Sequence, residues 1–383
     1  MRKILFLVSE DWYFYSHRLP VARAEKRLGF EVTVVTRVNR HADRIAAEGF
    51  RLVPLHMERS GKNPVKDLGV IRQLVGIYRS ERPDIVHHVA MKPVLYGSIA
   101  ARLAGVPHVV NALAGLGYLF ISGEFQARFL RRLVTTAFRF LFGSPGFRLI
   151  LQNPDDLALF VRSGLVPADK VVLIRGSGVD PIEFAPHQPP DGVPVVMLAS
   201  RMIWDKGVGE FVEAAAVLHE RGVKARFVLV GDSDLQNPHA VSRSALEEWS
   251  REGVIEWWGT RDNMPQVFAA VSIVCLPSAY GEGIPKVLIE GASCGLPIVT
   301  TDSPGCREIV RDGENGLLVP VRDARSLADA LRRLIESPEL RERMGRRGRE
   351  MVLQHFSIET VVAQTMELYE SLLSGGGGRR TAY

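Results

Sequence analysis

Short runs of β-branched residues alternate with amphipathic helical patterns along the whole of this 383-residue chain, and that rhythm limits its fold more than any other feature. Lys3–Val8, Glu31–Thr36, Asp84–His88, Val106–Asn111, Phe147–Gln152 and Lys170–Ile174 read as strands, with helical patterns such as Pro64–Ser80 and Lys92–Ala104 between most of them. Ser16–Pro20 opens a helix that closes at Gly29, proline early and glycine just past the end, as helix termini prefer. A β-α-β-α order predicts a parallel sheet with helices on both faces. The alternation stops at Asp180–Pro194, which holds five prolines and no periodicity and reads as a linker or hinge. It restarts with strands at Val195–Ala199, Ala225–Val230, Val254–Trp258, Ser272–Leu276, Pro297–Thr301 and Gly316–Val319. The expected fold class is α/β: two doubly wound domains, residues 1–183 and 184–356, facing each other across a cleft. A helix over 357–373 is expected to return to the first domain, followed by a flexible tail at 374–383.

Composition removes several function classes. Hydrophobic residues at 46% and charged residues at 24% are those of a soluble globular chain. The three cysteines, Cys275, Cys294 and Cys306, are odd in number and form no C-x-x-C pair, so neither a disulfide framework nor a metal site is expected. The apolar start, Met1–Val8, is cut short by Ser9-Glu10-Asp11, so no export signal is read. The most apolar stretch, Pro93–Ser122, is interrupted by Arg102, Pro107 and His108, so no membrane span is expected. Charge is unevenly spread: residues 1–190 carry 26 Lys and Arg against 16 Asp and Glu, and residues 191–383 carry 22 against 27. A basic half beside a mildly acidic one predicts that the first meets an anionic partner: a membrane surface, a phosphorylated lipid or nucleic acid.

No G-x-G-x-x-G follows the first strand and no G-x-x-x-x-G-K-[ST] occurs, so nicotinamide and P-loop chemistry lose their usual support. The richest constellation is Tyr280–Pro297, YGEGIPKVLIEGASCGLP, after the strand Ser272–Leu276. Gly281 and Gly283 permit close backbone approach to a ligand, and Pro285 suits a helix start whose free N–H groups face an anion. Glu282 stands before that helix and Glu290 inside it, so two acids reach one ligand at separate points. Such a ligand would carry phosphates and sugar hydroxyls together. The second constellation, Ser200–Gly207 (SRMIWDKG), directly follows the strand Val195–Ala199. There Arg201 and Lys206 place two cations where a diphosphate could be held and its departing charge stabilised.

The Glu282-x7-Glu290 spacing within EGIPKVLIEGASCGLPIVTTDSPGCREIV, with Arg201 and Lys206 upstream, resembles glycosyltransferase family 4. FYSHRLP, HHVAMKPVLYGSIAARLAGVP and QNPDDLALFVRSGLV resemble a bacterial branch of that family acting in surface-polysaccharide assembly. The resemblance implies the GT-B fold of two Rossmann-type domains and a retaining transfer from a nucleotide sugar, with no metal and no other cofactor. It implies that Arg201 and Lys206 bind the donor diphosphate, Glu282 the transferred sugar and Glu290 the ribose. Backbone groups of Gly283, Ile284, Pro285, Lys286 and Val287 would hold sugar and phosphate, and Arg261 would lie near the base. The branch implies uridine as the base, an N-acetylhexosamine as the sugar and a polyprenyl-diphosphate-linked saccharide as the acceptor.

The sequence departs from the family in one place: Asn111-Ala-Leu113-Ala-Gly115 carries no histidine where many members have one near the reacting centre. The acceptor-side candidates are then His17 with its neighbour Arg18, and His87, His88 and Asn111. His17 leads them, on an expected loop after the first strand. Tyr118–Arg148 holds five arginines among eight aromatics. Phe125, Arg128, Phe129, Arg131, Arg132 and Arg139 in it predict a helix resting on the anionic inner membrane surface, which would make the protein cytoplasmic and peripheral. Three rival readings are a nucleotide-sugar epimerase of the same architecture, a soluble transferase with a small acceptor, and a nucleic-acid-binding module. The last gives the paired acids no role.

Overall fold

The computed structural model describes residues 1–57, 64–115, 138, 141–188, 192–235, 237–279 and 281–375. The chain forms two compact units, Met1–Ser177 with Ile358–Tyr383, and Gly178–Ser357. The first is built on seven strands: β1 (Lys3–Glu10), β2 (Glu31–Arg37), β3 (Arg51–Pro54), β4 (Ile85–Val89), β5 (His108–Ala112), β6 (Phe147–Leu151) and β7 (Val171–Leu173), in the order β3-β2-β1-β4-β5-β6-β7. The second has six: β8 (Val195–Ala199), β9 (Arg226–Val230), β10 (Glu256–Gly259), β11 (Ile273–Leu276), β12 (Ile298–Thr301) and β13 (Gly316–Val319), ordered β10-β9-β8-β11-β12-β13. Every pairing of these strands is parallel. Each sheet starts in its middle, grows to one side and then crosses to the other, which puts a switch point between β1 and β4 and another between β8 and β11.

The buried strands show why apolar runs become sheet here. Along β8, Val196 and Leu198 enter one core while Val195, Met197 and Ala199 enter the core on the opposite face. Along β1, Ile4, Phe6 and Val8 face one way, and Leu5 and Leu7 the other. A strand with period-two side chains and helices on both faces needs an apolar residue at every position.

Four local readings are corrected. Strand β3 is absent from the sequence reading: it is a four-residue edge strand with no buried side chain, carrying Arg51 and closing on Pro54, so it lacks an apolar signal. A helix, Asp11–His17, starts at the very end of β1, and a second, Leu19–Arg27, follows it, where a loop up to Ser16 is expected. Residues 178–183 belong with the second unit, because Val179 donates to the Phe356 carbonyl (3.1 Å) and both Val179 and Phe184 lie in that unit's core. The proline-rich segment is accordingly no free linker over its described part: Arg349 donates to the carbonyls of Pro181 and Phe184 at 2.8 and 3.1 Å.

The helix Ile358–Leu373 lays Val361, Leu368, Tyr369 and Leu372 into the core of the first unit. Among the described residues no helix is long and apolar enough to cross a membrane.

Candidate active site

Arg201, Lys206 and Glu282 stand on the loops that leave β8 and β11, the two strands flanking the switch point of the second unit. Those loops touch. Gly207 has φ +77°, and a Cβ there would lie 2.2 Å from the Pro277 carbonyl oxygen, so only glycine lets the loop after β8 pass. The Ala279 N–H donates to the Asp205 carbonyl (2.9 Å), and Ser278 Oγ donates to Glu282 Oε1 (2.9 Å). Lys206 Nζ forms an ion pair with the same Glu282 carboxylate. From the loop after β12, Gly305 (φ +82°) supports that carboxylate's backbone: a Cβ would come within 1.8 Å of the Gly283 carbonyl oxygen.

The helix Lys286–Ser293 begins directly after Pro285, which has φ −64° and extended ψ. Its first-turn N–H groups, at Lys286 and Val287, have no carbonyl within the helix to bond. Ile284 is buried and Val287 packs against the same core, which fixes the direction of that helix start. Glu290 sits one turn further in, buried, with Lys286 Nζ 2.8 Å from its carboxylate. Burial raises its pKa, and the charge of Lys286 opposes the rise. Arg261 is exposed on the loop after β10, at the same edge of the sheet but two strands from β8. The second unit therefore collects Arg201, Lys206, Glu282 and the helix carrying Lys286 and Glu290 on one sheet edge. Opposite charges alternate there beside a helix N-terminus, a combination able to take a phosphate and several hydroxyls.

The residues that support this set belong to no motif in the sequence. Arg201 donates to Asp234 (2.6 Å), and Asp205 pairs with His239 (2.7 Å). Asp234 and His239 belong to the loop after β9, which has no dense motif to attract attention. Its position at a strand end on the sheet's carboxyl edge is the signal that could have found it.

The first unit places the acceptor-side candidates elsewhere. His17 is the last residue of the helix Asp11–His17, stacked on Tyr13 (ring centroids 4.1 Å apart) with Nδ1 2.6 Å from Ser16 Oγ, so its expected loop position is corrected. His88 and Asn111 are wholly buried: His88 Nδ1 meets Asn111 Oδ1 (2.7 Å), His88 Nε2 meets the Tyr78 hydroxyl (3.0 Å), and Asn111 donates to Ser98 (2.7 Å). Asn111 Oδ1 can only accept, so the proton of His88 sits on Nδ1 and Tyr78 donates to Nε2. Burial pushes His88 down to about 4. Both of its ring nitrogens are taken up in the core, which removes it from the acceptor side.

Arg18 is likewise inside, 3% exposed, and its charge acts on His87 and Tyr369. His87 and Glu25 are fully buried next to Tyr369; His87 is bonded to the Tyr369 hydroxyl. Burial holds His87 well below its ordinary value and Glu25 well above. Phe125, Arg128, Phe129, Arg131, Arg132 and Arg139 lie outside the described residues.

Two family models match the chain, one in each unit: "Glycosyl transferase 4-like" over residues 3–143 and "Glycosyl transferases group 1" over residues 193–337. Among curated proteins, the chain is 27% identical over 385 residues to the N,N'-diacetylbacillosaminyl-diphospho-undecaprenol alpha-1,3-N-acetylgalactosaminyltransferase of Campylobacter jejuni, covering 97% of this chain and 99% of that one. It is 27% identical, over 80% of each chain, to the UDP-Gal:alpha-D-GlcNAc-diphosphoundecaprenol alpha-1,3-galactosyltransferase of Escherichia coli. Its fold is similar to that of the solved sucrose-phosphate synthase of Thermosynechococcus elongatus, with TM-score 0.79 and 21% identity over 98% of this chain and 100% of that one. With a GT4-like model on its first unit, a group 1 model on its second and the two-sheet α/β architecture of the GT-B transferases, the chain belongs to glycosyltransferase family 4.

Proposed function

We propose that the protein moves a sugar from a UDP-sugar onto a polyprenyl-diphosphate-linked saccharide, with retention at the anomeric carbon and without a metal ion. The observation that carries this reading is the sheet edge where Arg201, Lys206 and Glu282 gather beside the start of the helix Lys286–Ser293. A diphosphate held there finds the positive charge that a divalent ion would otherwise bring. The names of the two relatives, an N-acetylgalactosaminyl- and a galactosyltransferase acting on undecaprenol-diphosphate-linked sugars, support the lipid-linked acceptor and the uridine donor. An N-acetylhexosamine is the sugar we favour, after the relative that spans almost the whole chain.

In this reading the acceptor hydroxyl attacks the anomeric carbon on the face the diphosphate is leaving. The new bond forms as the anomeric C–O bond to phosphate breaks, and the hydroxyl proton passes to the departing phosphate oxygen. Arg201 and Lys206 offset the charge growing on that phosphate, and Glu282 accepts from the sugar hydroxyls. Glu290 accepts from the ribose, and Arg261 approaches the base. The excess of basic residues in the first half supports peripheral attachment to the anionic cytoplasmic face of the membrane, where such an acceptor is anchored. His17, exposed in part on the first unit, stays the candidate for contact with the acceptor.

The test is a radiolabelled transfer assay with a panel of UDP-sugars and polyprenyl-diphosphate-saccharide in vesicles, run with and without chelator. Label is expected in the lipid fraction, unaffected by the chelator. Conversion of the UDP-sugar with no acceptor present, transfer only to water-soluble sugars, or activity abolished by chelator and restored by added divalent ion would overturn the corresponding part.

A further inference from the structure

The loop that carries Arg201 and Lys206 is held chiefly by the loop after β9. Met202 donates its N–H to the Asp232 carbonyl (3.0 Å), Trp204 donates to the His239 carbonyl (2.9 Å), and Val241 donates back to the Met202 carbonyl (3.0 Å). Met202 bridges to Ser233 and Ile203 to Ala240, so the segment 202–204 lies between two runs of the same loop. That loop is closed on itself. Ser233 Oγ donates to the Val241 carbonyl (2.7 Å), Asn237 N–H to the Asp234 carbonyl (2.7 Å), and His239 N–H to Asn237 Oδ1 (2.9 Å).

Two side chains leave this frame and fix the two ends of the cationic loop. Asp234 Oδ2 takes Arg201 Nη1 at 2.6 Å, and His239 Nδ1 meets Asp205 Oδ2 at 2.7 Å, one residue before Lys206. The Asp205 carbonyl in turn takes the Ala279 N–H, next to the Ser278 that holds Glu282. We infer that Asp234 and His239 are positioning residues for the donor diphosphate: Asp234 aims the guanidinium of Arg201, and His239, through Asp205, sets where Lys206 emerges. The inference rests on the reading of Arg201 and Lys206 as diphosphate-binding cations.

Chemistry favours this role over that of a blocking counter-ion. A guanidinium carries five N–H donors in a rigid fork, and the bond to Asp234 uses one nitrogen, leaving others for phosphate oxygens. A long side chain already fixed loses less freedom when a ligand arrives. The Asp205–His239 pair works from outside the cationic set, so its removal shifts a backbone without removing a charge that the donor meets.

The experiment measures UDP affinity by calorimetry on the full-length protein, with melting temperature read alongside. Asp234→Ala is expected to weaken UDP about tenfold and Asp234→Asn, which keeps the acceptor oxygen, no more than about threefold. His239→Ala is expected to weaken it about threefold, with His239→Asn restoring most of the loss by keeping a donor near Asp205. The deciding measurement is the double-mutant cycle: in an Arg201→Ala background, Asp234→Ala should cost nothing further. Near-wild-type UDP affinity in both Asp234→Ala and His239→Ala, tighter binding in Asp234→Ala, or an undiminished effect of Asp234→Ala after Arg201 is gone would each overturn the inference. Wild-type affinity in Arg201→Ala alone would instead sink the reading of Arg201 on which it rests.

Discussion

The two units begin their sheets the same way and then use polar residues in opposite ways. In the first, the polar groups near the switch point are turned into the flanks of the sheet. His87 and His88 on β4, Asn111 on β5 and Glu25 on the helix Leu19–Arg27 are all wholly buried. Burial lowers the two histidines and raises Glu25, so each is driven toward its uncharged form. In the second, Arg201, Lys206, Ser278 and Glu282 stand on loops beyond the strand ends, joined acid to base and held by glycines that no other residue could replace. A polar residue on a central strand is consumed by the core. Beyond the strand ends the scaffold fixes the backbone and polar side chains meet one another instead of the core: Arg201 and Lys206 stay partly exposed, and the buried Glu282 is held by Lys206 and Ser278.

The largest expected difference between the units is therefore functional loss without structural loss. Lys206→Ala and Glu282→Ala should each lower transfer about 10²–10³-fold, the size seen when one charge stabiliser of a transition state is removed. The melting temperature should move by only a few degrees. Transfer near wild type in both variants would cancel the contrast by showing the second unit's ion pairs to be as structural as the first unit's network.

Next in size is an acid effect confined to the first unit. His88 has a folded pKa of about 4 against about 6.5 unfolded. A depressed histidine supplies stability that is present above its unfolded pKa and is lost as pH falls toward its folded one. Between about pH 6.5 and 4 that amounts to about 3 kcal/mol from His88, with His87 adding to it in the same direction. Hydrogen-exchange protection of the β4 and β5 amides should drop across this window, and His88→Gln should flatten the drop. Equal loss in β8 and β11 would mean that the titration is not a property of the first unit.

The same division decides what could be read from the sequence. The central strands were plain because residues such as Val195–Ala199 must be apolar at every position, facing core on both sides. Strand β3 was silent because its four residues sit at a sheet edge with no buried side chain. Arg201, Lys206, Glu282 and Glu290 were legible because loops after strands and a helix start concentrate them in two short motifs. Asp234 and His239 were not, since each supports a motif from 33 or 34 residues away in sequence. Arg18 and His88 misled for a related reason: a charged or titratable residue beside a motif looks alike whether it points out or in. Only the third dimension shows that His88 is bonded to Tyr78 and Asn111.

The smallest effect concerns Glu25, the least explained group in the first unit. Both its carboxylate oxygens are buried without a hydrogen bond of good geometry, and Arg18 Nε and Nη2 and His87 Nε2 lie buried in the same condition. Burial raises Glu25 while its contact with the Tyr369 hydroxyl opposes the rise. A carboxyl whose folded pKa exceeds its unfolded one gives stability that is whole below the unfolded value, about 4.3, and is lost as pH climbs toward the folded value. Glutamine is the neutral mimic of the protonated acid. Glu25→Gln should therefore match the wild type near pH 4 and exceed it by about 1–2 kcal/mol near pH 8, within the range for a buried polar group without full compensation. Chemical denaturation at the two pH values, followed through exchange at the helix Ile358–Leu373 that Tyr369 anchors, makes the comparison. A wild type more stable than Glu25→Gln at pH 8 would mean that Glu25 is ionised and balanced by the charge of Arg18. The first unit would then hold a true buried ion pair, and the contrast between the two units would reduce to one of depth alone.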